Sequence, residues 1–235
     1  MSVSVFLFVP NLIGYVRILL LLYACWYMPT DPVRAVVSYL LSALLDAVDG
    51  HTARLLDQST KFGAALDMLS DRCTTMCLLF TLGVFYPHYL FFFQLSACID
   101  ITSHWLFVQS SIQSGSSSHK TIGIDGNPLL RIYYANRTIL FIMCAGNELF
   151  YAMLYVLHFT EGPYCKSRPT NCRKMVFGLG LYLMILYLSL PIALLKTLVG
   201  IVHLYTAAIN VASIDAFERK KSQTLPVNSD QGKVK

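Results

Sequence analysis

An all-α, polytopic membrane bundle of six transmembrane helices is the fold this sequence predicts, on three observations. Of its 235 residues, 55% are apolar and only 13% charged, where a soluble domain carries about a quarter. The apolar residues gather in blocks near the ~20 residues that cross a ~30 Å hydrocarbon core. The mean hydropathy of +0.55, with fourteen Phe and fourteen Tyr, excludes disordered, collagen-like and coiled-coil chains. The net charge of +5 comes without a clustered basic face, so it speaks to topology and not to a nucleic-acid partner. The seven Cys show neither C-x-x-C nor zinc-ligand spacing.

The blocks justify themselves in order. The first, Phe6 to Met28, is interrupted by Pro10, Asn11 and Arg17, and nothing before it reads as a cleavable signal. Pro29 to Pro32 links it to the second, Val33 to Leu56, whose second half carries Asp46, Asp49 and Arg54. A polar turn, Asp57 to Lys61, leads into the third, Phe62 to Tyr86, with Asp67 and Asp71 near its start. Pro87 and His88 connect to the fourth, Tyr89 to Val108. The polar stretch Gln109 to Arg137 precedes the fifth, Thr138 to Phe159. The last apolar stretch, Met175 to Ala212, would cover about 57 Å as a helix. Pro191 divides it, so Pro191 to Ala212 reads as the sixth span. Phe177 to Leu190 then extends it as a tilted, kinked helix or lies at the interface, and two complete spans are the competing reading. Residues 1–216 are thus one membrane domain, and 217–235 a polar cytosolic tail expected to be disordered.

Six spans leave eleven Lys and Arg on the side of the second turn, the Ser/Gly loop and the tail, against five on the other side. The positive-inside rule places the eleven, and both termini, in the cytosol.

Carboxylates within a membrane span are costly and read as functional. Asp46 and Asp49 are three residues apart, Asp67 and Asp71 four, so each pair shares a helix face, and the turn between the helices folds the faces together. Four converging carboxylates repel one another unless cations neutralise them. Hard oxygen ligands suit two Mg²⁺ or Mn²⁺ ions, and a metal pair serves phosphoryl transfer. Gly50, Ala53 and Gly63 remove bulk where a base or diphosphate would approach, and Arg54 offers a planar cation for phosphate.

The string Asp46-x2-Asp49-Gly50-x2-Ala53-Arg54-x8-Gly63-x3-Asp67-x3-Asp71 resembles, at all eight fixed positions, the signature of the CDP-alcohol phosphotransferase family of integral membrane enzymes. Further segments resemble that family's animal inositol-using members: Phe6–Tyr15, Leu44–Arg54, Phe62–Leu79, Ser103–Leu106, Gly126–Tyr134, Cys144–Tyr151 and Pro191–Lys196. The likeness covers about residues 5 to 218 and fails in Gly162–Lys174 and after Arg219. It implies transfer of a phosphatidyl group from CDP-diacylglycerol to myo-inositol in the endoplasmic-reticulum membrane, with CMP released. By the same resemblance Asp46, Asp49, Asp67 and Asp71 hold the metals, and Asp71 is also the general base. Asn11 and Arg17 would face the nucleotide or its phosphates, though a snorkelling Arg17 is the plainer alternative. Where many members carry Thr or Ser between them, this chain has Gly14, and a hydroxyl contact is lost. A homodimer is the oligomer the family suggests, but no interface is legible in the sequence.

Inositol needs several polar groups of its own. Arg131, Arg137, Lys120 and His119 around the cytosolic loop are candidates, with Asp100 and His104 one turn apart in the fourth span. For Lys120 and His119 plain solvation competes, and for Asp100 and His104 a helix-to-helix hydrogen bond. Asn147 and Glu148 are expected to bond to neighbouring helices, contact with substrate being the other reading. Cys165 and Cys172, in the loop assigned to the lumen, are placed where oxidation could join them. Rival readings are a family member using another alcohol, a transporter with midplane carboxylates, and an inactive scaffold. The first keeps the catalytic string. The second conflicts with the clustering of the Asp at one face, and the third with the intact motif.

Asn136-Arg137-Thr138 is a glycosylation sequon on the side assigned to the cytosol. The expected result is no mobility shift on endoglycosidase treatment of the chain expressed in eukaryotic microsomes, and a glycan there would overturn the orientation.

Overall fold

The structure is a computed structural model in which residues 4–114, 128–161 and 179–224 are described. His119, Lys120, the Cys165–Cys172 pairing and the last eleven residues fall outside them. The described residues form seven α-helices: α1 Val9–Tyr27, α2 Pro32–Leu55, α3 Lys61–Phe85, α4 Leu90–Ser114, α5 Pro128–Ala135, α6 Arg137–Glu161 and α7 Leu179–Thr224. Short 3-10 turns precede α1 and α4.

Helix boundaries follow local chemistry. Pro10 stands in the first turn of α1, where a missing N–H costs nothing. Asp31 caps α2 by accepting from the Val33 and Arg34 amides at 3.1 Å each, and Pro32 opens that helix. Thr60 Oγ1 accepts the Gly63 amide at 3.0 Å and starts α3. Between α2 and α3 the chain turns sharply on Asp57, whose φ is +52°. The Gln58 amide reaches back to the Ala53 carbonyl at 2.9 Å, the long bond of a Schellman closure. Asn136, the sequon residue, caps α6 through its side-chain oxygen, 3.0 Å from the Thr138 amide.

Among the described residues five helices are long and apolar enough to cross a membrane: those over Val9–Tyr27, Lys61–Phe85, Pro87–Ser110, Thr138–Thr160 and Gly180–Lys221. The expected second span, α2, is long enough at 24 residues, but Asp46, Asp49, His51 and Thr52 dilute its apolar character. α7 runs unbroken through Pro191 for 46 residues, about 69 Å, so of the arrangements expected before Pro191 the helical extension of the last span is the one observed. One expectation is corrected. The polar tail placed from residue 217 is helical up to Thr224. Ala216, Glu218, Arg219, Lys220 and Lys221 are good helix formers, basic side chains suit a helix C-terminus, and no proline intervenes before Pro226.

The chain forms two compact units, Met1–Cys98 with Ile142–Lys196, and Ile99–Phe141 with Thr197–Lys235. The first holds a core of Ala24, Met28, Ala35, Leu78, Leu79, Leu82, Tyr155 and Phe159 among others. Its tyrosines are anchored at both ends: Tyr155 Oη donates to the Met28 carbonyl at 2.8 Å, and Tyr86 Oη to that of Leu154 at 3.0 Å. Around that core the outward faces are apolar, with Leu19, Leu22 and Trp26 on α1 and Phe80 and Val84 on α3 all exposed. That inversion is what a lipid solvent selects. The second unit buries Leu130, Tyr133, Val199 and Ala207.

Candidate active site

All four aspartates lie in the first unit, on the hairpin of α2 and α3. Asp49 and Asp67 each stand nine residues from Gln58, and Asp46 and Asp71 stand twelve and thirteen from it. In an antiparallel pair those distances set the carboxylates level, two by two. Asp46, Asp49 and Asp67 each offer an oxygen, and the three oxygens lie within 4.8 Å of one another.

What fills the space between them is Arg17, from the middle of α1. Its Nη1 lies 2.7 Å from Asp49 Oδ2 and 2.7 Å from Asp67 Oδ1, and its Nη2 2.6 Å from Asp71 Oδ1 and 2.5 Å from Asp46 Oδ1. The side chain is only 5% exposed, and its Nε has no hydrogen-bond partner among the described residues. Arg17, expected at the nucleotide phosphates, is placed here as the hub of the carboxylate cluster. With Arg72 beside Asp71 as a second guanidinium, half of the formal charge of the four carboxylates is offset and two negative charges remain. Hard oxygens in this number and proximity fit divalent cations. The cluster opens to one side, because Asp46 and Asp67 are 42% and 49% exposed against 10% for Asp49.

The other expected site residues divide. Arg54 is exposed, and its guanidinium lies over Gly50, where an added Cβ would stand 3.7 Å from Nη1, an ordinary contact. Gly50 therefore presents a bare surface beside a cation. Gly63 is committed differently: a Cβ there would meet Asn11 Oδ1 at 2.9 Å and Thr60 Oγ1 at 3.2 Å. Its smallness lets α1 close on α3. Asn11 is buried, with Nδ2 donating to the Val5 carbonyl at 2.6 Å. Gly14 has a packing role as well, since a Cβ there would stand 3.0 Å from Leu66 Cδ2. Ala53 lends its carbonyl to the α2–α3 turn.

The residues expected to meet inositol belong to the second unit. His104 Nδ1 is 2.7 Å from the Asp100 carbonyl and 3.7 Å from Asp100 Oδ1. The His104 ring stands 5.8 Å from that of the buried His203. Arg131 is exposed on α5, and Arg137 begins α6.

Sequence reasoning passed over three residues beside the carboxylates. Arg72 lies 3.6 Å from Asp71 Oδ2. Tyr39 on α2 and Thr75 on α3 both donate to Glu148 of α6, at 2.5 and 2.8 Å. Glu148 thus bonds to neighbouring helices as expected. The available signal was spacing: Tyr39 is seven residues from Asp46 and Thr75 four from Asp71, each on its partner's helix face. Beside Tyr39 a small apolar crevice is lined by Met28, Ala35, Leu40, Leu78, Ala152 and Tyr155, among others.

These carboxylates on consecutive helices coincide with a known family. The CDP-alcohol phosphatidyltransferase family matches residues 7–157. The chain belongs to that family. Relatives curated as CDP-diacylglycerol–inositol 3-phosphatidyltransferase include the human protein, 53% identical over 94% of this chain and 98% of its own length. The Drosophila melanogaster protein of that name is 50% identical over 96% and 95%, and the Saccharomyces cerevisiae protein 37% over 89% and 88%. No solved structure matches the chain significantly. The family segment spans α1 to most of α6 and contains every residue of the carboxylate cluster.

Arg17→Met should leave the four carboxylates without their central cation. Breaking a buried ion pair costs about 3–5 kcal/mol, and the half-exposed Asp46 and Asp67 reduce that figure. With chelator present, the unfolding temperature of the variant in detergent should fall by at least about 5 °C relative to wild type, with part of the loss recovered on adding Mn²⁺. Equal unfolding temperatures would remove Arg17 as the hub.

Proposed function

We propose that the chain is a phosphatidylinositol-forming transferase of the endoplasmic-reticulum membrane, moving the phosphatidyl group of CDP-diacylglycerol to myo-inositol. The observation that carries this reading is near full-length likeness to relatives bearing that activity in their names. The intact four-carboxylate cluster supports it.

Asp46, Asp49 and Asp67, with Asp71, would hold two Mg²⁺ or Mn²⁺ ions, which supply the positive charge a diphosphate and its departing oxygen need. The chain's own groups do the rest. Arg54, lying over the bare backbone of Gly50, would meet the diphosphate. Asp71 takes the proton from an inositol hydroxyl, whose oxygen bonds to the phosphorus bearing diacylglycerol. The bond from that phosphorus to the CMP oxygen breaks, and CMP leaves with the electron pair. The apolar crevice beside Tyr39 offers hydrocarbon-like surroundings for a lipid tail near the polar cluster. Arg131, Arg137, Asp100 and His104 remain the residues we assign to inositol.

The same reading makes α2 the sixth span. Val33, Val37, Leu40, Leu41, Leu44 and Val48 are all exposed along one face of it, an apolar stripe of about 22 Å. Asp46 and Asp49 then sit toward the cytosolic end, where water-soluble inositol and nucleotide arrive while the lipid enters laterally. Both termini are cytosolic, and residues 1–216 form the catalytic membrane domain.

Purified protein in vesicles with CDP-diacylglycerol and Mn²⁺ should release CMP with myo-inositol and not with serine, glycerol 3-phosphate, choline or ethanolamine, and chelator should abolish release. Release with another alcohol alone would discard the acceptor. Asp71→Asn should lower turnover by roughly two to four orders of magnitude while the protein stays folded. Near-normal turnover would take the base role from Asp71.

A further inference from the structure

Two helices carry the four carboxylates, so a metal-binding geometry exists only if those helices are held at a set distance. At one end the tight turn on Asp57 does this. Farther along the hairpin, a side chain from a third helix joins the pair. Glu148 Oε2 accepts from Tyr39 Oη of α2 at 2.5 Å, and its Oε1 accepts from Thr75 Oγ1 of α3 at 2.8 Å. Thr75 is one turn beyond Asp71, and its Oγ1 also lies 3.3 Å from the Asp71 carbonyl. Tyr39 is two turns before Asp46.

A carboxylate in the middle of an apolar helix is expensive. Among the described residues no Lys, Arg or His stands within ion-pair distance of this one, so the hydroxyls of Tyr39 and Thr75 are its compensation. Both donors come from the helices that bear the cluster, one from each. A single rigid group accepting from both fixes their separation as well as their relative slide.

We infer that Glu148 is a positioning residue that braces α2 against α3 and so sets the spacing at which Asp46, Asp49, Asp67 and Asp71 bind divalent cations. This rests on the metal-dependent transferase reading above. It does not touch substrate, and acts through the helices.

The test is Mn²⁺ binding by the purified full-length chain without substrate, read from the electron paramagnetic resonance signal of free Mn²⁺. Glu148→Ala should weaken binding by about 10- to 100-fold, the scale for groups that orient metal ligands. Glu148→Gln, which keeps a bridge to both hydroxyls, should restore binding to near wild type. Tyr39→Phe and Thr75→Val should each give a smaller loss and add nothing to Glu148→Ala. A folded Glu148→Ala protein that binds Mn²⁺ as wild type does would overturn the brace, as would Glu148→Gln binding as weakly as Glu148→Ala. If Glu148→Ala does not fold, the isosteric Tyr39→Phe and Thr75→Val decide, and unchanged binding in both overturns the inference. Wild-type protein that binds no Mn²⁺ overturns it together with the metal site. Wild-type protein that binds Mn²⁺ but releases no CMP with inositol overturns the assigned reaction and leaves the brace standing.

Discussion

Four carboxylates held around one buried guanidinium are the constraint from which the rest of this structure follows. Like charges this close are tolerable only if something positive lies between them and if the helices that carry them stay put. Arg17 meets the first need in part, contacting Asp46, Asp49, Asp67 and Asp71 through two nitrogens. It leaves a net negative charge at a cluster of oxygens that could hold a metal ion.

Placing Arg17 there requires α1 to lie close against the α2–α3 hairpin, and the packing details serve that end. Gly14 and Gly63 remove side chains where α1 meets α3, and Asn11 occupies the space at Gly63. The Val9 amide donates to Gln58 Oε1 at 3.0 Å, tying the start of α1 to the turn of the hairpin. Ser42 of α2 donates to the Arg17 carbonyl at 3.3 Å. Each contact fixes the depth at which the guanidinium meets the carboxylates, so residues without chemistry of their own decide whether the chemistry is assembled.

The polarity of the bundle is arranged around the same cluster. Exposed apolar residues cover the outward faces of α1, α2 and α3, while polar side chains on α2 and α3 converge inward at one level. An apolar crevice lies next to Tyr39, whose hydroxyl is turned to Glu148 and away from that crevice.

The sequence by itself determined the helical membrane class, the hairpin and the paired aspartates, because each depends on short-range periodicity and spacing. Three- and four-residue intervals place side chains on one helix face whatever the surroundings. It also carried the family motif, which depends on those same intervals. It did not determine where Arg17 points, because its partners lie 29 to 54 residues away. Nor did it show that Gly63 accommodates Asn11 or that Glu148 bridges Tyr39 across 109 residues of chain. At Pro191 the sequence left a continuous helix and a break both open, since proline argues locally for a break that the neighbouring turns override. Only the tertiary structure decided these points, because they are set by which helices approach one another and how closely.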